Sequence, residues 1–128
     1  MTDIANWLEA EIFDYYFIEN GPVYAALHTG DPGDNADENE VDAVDYSRQP
    51  IGTSWWDISG GSPTLATTNE IILFDQAEST WGTISHVSLH TAEEGGNPLF
   101  GGSFEAPRPI NDGEQYEIRE GAIRIYLD

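Results

Sequence analysis

The stretch from Trp81 to Gly102, WGTISHVSLHTAEEGGNPLFGG, constrains the fold of this chain more than any other. From Trp81 to His90, apolar and β-branched residues alternate with small or polar ones, the pattern of a strand covered on one face. Gly95-Gly96-Asn97-Pro98 then supplies turn chemistry before Leu99-Phe100 resume the apolar run, so the stretch reads as a β-hairpin. A regular first strand puts Trp81, Val87 and Leu89 on one face and Ile84, His86 and His90 on the other. On that face His86 and His90 lie about 13 Å apart along the strand, too far for one metal ion.

A hairpin needs partners, and the rest of the chain offers them. PVYAALHT (22–29) is a short strand with Val23, Ala25 and Leu27 facing one way and Tyr24, Ala26 and His28 the other. DYSRQPIGTSWWDI (45–58) gives two extended pieces broken at Pro50 and Gly52, and Ser59 to Glu70 reads as a turn-rich connection. EIILF (70–74) reads as a buried-type strand. GSFEAPRPI extends to Ile110, Asn111-Asp112-Gly113 makes a tight turn, and Glu120-Gly121 a bulge or turn. In the closing strand Ile123, Ile125 and Leu127 alternate with Arg124 and Tyr126. Roughly seven or eight short strands with regularly spaced turns predict a mainly β fold, a β-sandwich or jelly-roll-like domain. At 128 residues a single core suffices. The expected domain is 1–128, with an N-terminal α-helix in 1–21 and the sandwich in 22–128.

The helix is capped by Thr2 or Asp3 and closed by Asn20-Gly21-Pro22. Ile4, Trp7, Leu8, Ile12, Tyr15 and Tyr16 recur at helical spacing, and Phe13, Phe17 and Ile18 widen the apolar surface beyond one stripe. A helix apolar nearly all round is normally buried, so it either packs wholly on the sheet or docks in part on a neighbouring subunit. The paired Trp55-Trp56 point to opposite sides of their strand. Trp7, Phe13, Phe17, Trp55 and Trp56 are the expected subunit contacts.

Charge excludes several functions. The chain has 24 Asp and Glu against four cations, all Arg (Arg48, Arg108, Arg119, Arg124), and a formal charge of −20. Such a field repels nucleic acid and anionic membranes. Disorder is countered by 39% apolar and 12% aromatic residues. Concentrated salt accounts for the balance better, because screening then suppresses self-repulsion. With no cysteine there is no disulfide framework or thiol catalysis, and without a membrane span or signal peptide the chain is expected to be soluble.

The acidic loop 30–45 carries Asp31, Asp34, Asp37, Glu38 and Glu40 among Gly, Pro and Asn. These are candidate ligands for Ca2+, or for Na+ or K+, although the spacing departs from the EF-hand pattern and a solvated loop is the plainer reading. Arg48 is expected to pair with a nearby carboxylate. No GxSxG, HExxH, P-loop or GxGxxG motif occurs, and His28, His86 and His90 read as hydrogen-bonded or exposed rather than as a metal site. No catalytic residue or cofactor is implied. Two other readings stay open: a glycan-binding module using Trp55 or Trp56 with Asp57 and Asp75 or Glu78, and, more remotely, a hydrolase using paired carboxylates.

ALHTGDPG (26–33), YSRQPI (46–51) and WGTISH with the downstream EEGGNPLFGG, in that order, resemble a family of small tailed-phage virion proteins labelled tail-fibre-like or minor structural proteins. The resemblance covers nearly the whole chain. With the lysine-free acidic composition, the chain is similar to what a haloarchaeal tailed virus would carry. The resemblance implies a non-enzymatic structural protein that oligomerises on the outer surface of the virion, as a tail appendage or a capsid turret or decoration. Its partners would be itself and neighbouring virion proteins, and the alternative is a module binding a host glycan or receptor.

Overall fold

The computed structural model describes residues 4–61 and 63–127. Helix α1 (Asn6–Phe13) runs directly into a π-helical segment, Asp14–Glu19. The segment closes at Asn20, whose backbone N–H and side-chain amide both donate to Tyr15 O, at 3.0 and 2.9 Å. The expected caps Thr2 and Asp3 lie outside the described residues; Ala5 holds the N-cap position without a side-chain bond.

Among the described residues nine strands follow: β1 (Val23–His28), β2 (Gln49–Ile51), β3 (Trp56–Ser59), β4 (Thr64–Thr68), β5 (Ile72–Leu73), β6 (Gly82–His90), β7 (Pro98–Ile110), β8 (Glu117–Ile118) and β9 (Arg124–Leu127). They form three antiparallel sheets, ordered β2-β1-β6-β7, β3-β4-β9 and β5-β8. One core cluster draws on all three sheets and on the helix, a sandwich-like arrangement as the strand spacing predicts. The Trp81–Gly102 hairpin is its centre: β6 lies between β1 and β7, and Thr91 N–H donates to Asn97 O across the turn. Gly95 and Gly96 take φ of 65° and 71° there, a region that disfavours side chains. β7 forms the outer edge, where Pro107 and Pro109 are tolerated because an edge strand can forgo donors.

Three expectations need correction. A register shift between Ile84 and His86 breaks the regular alternation of β6 and brings Ile84, fully buried, into the core cluster that holds Leu89 and Trp81. The connection 59–70 contains β4, the middle strand of its sheet, with Thr64, Ala66 and Thr68 buried and Leu65 and Thr67 half-buried. The flanking Gly and Pro obscured a five-residue strand in which Thr64, Thr67 and Thr68 are β-branched. EIILF is half-buried rather than buried: Ile72 and Phe74 point into the core, whereas Ile71 and Leu73 are exposed, and only Ile72–Leu73 is strand.

Candidate assembly surface and anchored loop

On the helix, the side facing the sheets is Glu9, Phe13 and Phe17, spaced i, i+4, i+8. Phe17 stacks on Trp56 of β3 at 4.3 Å between centroids and meets Phe13 at 5.4 Å and Phe100 of β7 at 5.8 Å. The helix therefore bridges two sheets through aromatic contacts. Glu9 is buried beside them; Thr64 Oγ1 donates to its Oε1 at 2.9 Å, and its Oε2 has no partner among the described residues.

The stripe read from the sequence points the other way. Trp7 is 72% exposed, Tyr15 52% and Leu8 45%, with Ile4, Tyr16 and Ile18 exposed beside them. Tyr15 and Tyr16 pack edge to face at 4.9 Å on this outer side. Of the five expected contact residues, Phe13, Phe17 and Trp56 are spent inside the single chain, because their rings fill the gap between sheets. Trp55 is half-buried, its indole lying against Gly52, and Trp7 is left on the surface. The periodicity that marks Ile4, Tyr15 and Tyr16 was present in the sequence; what it could not give was which of two apolar faces turns inward.

The acidic loop returns to the fold through its last residues. Asn39 O accepts from Thr29 N–H, and Val41 N–H donates to Leu27 O, so the loop extends the pairing of β1 beyond the short β2. Arg48 makes a two-pronged ion pair with Glu40, Nε to Oε2 and Nη2 to Oε1 both at 2.9 Å. Its Nη1 also donates to Ala92 O and Gly95 O in the β6–β7 turn. Tyr46 donates to Glu40 Oε2 at 2.7 Å while accepting from Leu27 N–H. Burial alone would raise the Glu40 carboxyl, but the Arg48 and Tyr46 hydrogen bonds outweigh it and hold it below the usual range. The expected carboxylate partner of Arg48 is thus Glu40.

Asp45 closes the loop. It accepts from Glu78 N–H at 2.6 Å, Ser79 Oγ at 2.8 Å and Trp81 Nε1 at 2.9 Å. The Glu78 N–H is the main reason its carboxyl falls to about 2. Asp31 accepts from Gly33 N–H, and Asp34, Asp37 and Glu38 are exposed. Among the described residues no group of three His, Asp or Glu side chains is placed to hold a metal ion.

Two histidines are brought together by a serine. His28 Nδ1 lies 2.7 Å from Glu38 O, which fixes it as the donor; Ser88 then donates to His28 Nε2 at 2.6 Å and accepts from His90 Nε2 at 2.7 Å. Burial lowers both histidines, His90 to about 4, so the chain of bonds is neutral around pH 7. All three residues are buried, which denies Ser88 a substrate. His86 instead bonds its neighbour Ser85.

For the glycan reading, Trp56 is enclosed by Phe17, and Asp57 accepts from Asn69 Nδ2 at 3.0 Å. Over residues 3–126 the chain matches the family described as Podophage GP4 fiber I protein gp80. No curated protein matches it.

Proposed function

The chain belongs to this podophage fibre family, and from that premise we propose that it is a non-enzymatic subunit of a virion fibre that oligomerises by burying the outer face of α1. The observation that carries the reading is the exposed set of Ile4, Trp7, Leu8, Tyr15, Tyr16 and Ile18, which spans α1, the residues before it and the π-helical segment after it. Contiguous exposed apolar surface of this kind marks an interaction site, and Trp and Tyr are the side chains most used as interface anchors. Fibre membership favours a tail appendage over a capsid decoration.

The charge belongs to the same proposal. Copies carrying −20 each repel at low ionic strength, and at 1 M salt the screening length shrinks to about 3 Å, which leaves the apolar contact free to act. Light scattering in about 2 M NaCl is expected to show one discrete oligomer that dissociates at low salt. Trp7→Glu is expected to give a folded monomer in both. A wild-type monomer at every concentration and salt overturns the reading.

A further inference from the structure

In a lysine-free chain with four arginines, one is consumed by Glu40, and the remaining three line a single groove of about 470 Å³. The groove lies between the edge strand β7 and the β8–β9 connection; Arg108 reaches it from β7, Arg119 from the connection and Arg124 from β9. Among the described residues Arg48–Glu40 is the ion pair, so the three groove guanidiniums hold no carboxylate, although Glu105 and Glu117 also border the space. Apart from the paired Arg48, every charged side chain outside the groove is a carboxylate. Collecting every free cation at one place on such a chain makes the groove a receptor for carboxylates.

We propose that this groove takes the acidic loop of a second copy, with Asp34 and Asp37 as the carboxylates. Charge complementarity selects the loop: both residues are exposed and take no part in anchoring it. Ordering has already been done, since Glu40, Tyr46 and Arg48 fix the end of the loop to the fold. A sugar fits less well. Tyr116 is buried against Phe104 and Phe74, and Arg108 covers its ring at 6.0 Å, so its face is not offered for stacking. Made reciprocally, a loop-into-groove contact closes a two-fold dimer; repeated head to tail, it builds a ring or a filament. The inference rests on the assembly reading only in requiring that copies meet; it uses a different surface from α1.

The absence of cysteine makes the test clean. Asn35→Cys and Ala122→Cys chains, both at exposed positions, are mixed under mild oxidation, with Asn35→Cys plus Thr80→Cys, exposed and away from both α1 and the groove, as the control pair. The loop–groove disulfide is expected to exceed the control by about tenfold, the gain from effective concentration at a formed contact. Adding Arg119→Gln and Arg124→Gln to the Ala122→Cys chain is expected to remove that excess while thermal unfolding shows an intact fold. Yields equal to the control overturn the proposal, whether or not Trp7→Glu has lowered the mass, so the two readings fail separately. Retention on polygalacturonate that is lost in the double Gln variant, with no trapped excess, gives the groove to a polysaccharide and also overturns it.

Discussion

The helix and the acidic loop reverse what their compositions suggest. The loop is rich in charge, glycine and proline, yet its end is fastened by a half-buried tyrosine, a two-pronged arginine and strand-like bonds to β1. The helix is aromatic on nearly every side, yet its largest exposed side chain is a tryptophan. A few polar groups with complete partners order a segment that composition would leave solvated. Apolar content in excess of what one core can take has to remain outside. The two regions therefore divide the labour: the loop is held by the chain itself, and the helix keeps a surface for something else.

The largest break in this comparison is expected at the inward side of the helix. Phe17→Ala removes the ring stacked on Trp56 and touching Phe100, and with it the contact between sheets. A cost of about 4 kcal/mol is expected, read as a lower urea midpoint with unchanged slope. Arg48→Ala tests the loop. It strands the Glu40 carboxylate and two turn carbonyls, and because the pair is partly solvated the expected cost is about 2 kcal/mol, below that of a fully buried pair. Hydrogen exchange at Thr29 and Val41 is expected to rise in this variant. Full protection there would mean that the backbone bonds, with Tyr46 and Asp45, hold the loop without Arg48.

How much of this could be read from residues differs by region for a physical reason. The hairpin was legible because alternation and turn residues act locally, and Arg48 was legible as a paired cation because few other roles suit a lone arginine among acids. Its partner Glu40, eight residues away, was not, since that depends on the loop doubling back. β4 was hidden between Gly60-Gly61 and Asn69, where Thr reads equally as strand or turn. The inward side of the helix was missed because Phe13 and Phe17 and the Trp7 stripe are both apolar, and only the positions of Trp56 and Phe100 decide between them. The Arg groove joins residues 108, 119 and 124 through a sheet order that no local pattern specifies.

A smaller effect is expected from the His28–Ser88–His90 chain, which lies beside the anchored loop through Glu38. His90 has a folded value of about 4 against an ordinary value near 6.5. Between these the unfolded chain takes up a proton that the fold refuses, so stability is complete above about pH 6.5 and is lost as pH falls toward 4. His90→Gln is expected to flatten the stability profile in that window by up to about 1.4 kcal/mol per pH unit. A residual slope remains, because His28 is lowered too. An unchanged slope would show that His90 is protonated within the fold.

The smallest expected change in stability sharpens the comparison most. Trp7 is 72% exposed, and replacing a side chain that touches so little of its own chain costs no more than about 0.5 kcal/mol. Trp7→Ser is therefore expected to unfold at the wild-type urea midpoint when both are measured as monomers at low salt. At high salt its mass is expected to fall while the wild type stays associated. A loss of more than about 2 kcal/mol in the monomer would place Trp7 among the contacts that hold the fold, as core truncations do. The outer face would then be the loop's counterpart, fastened from within, and the exposed aromatic stripe would no longer argue for a partner.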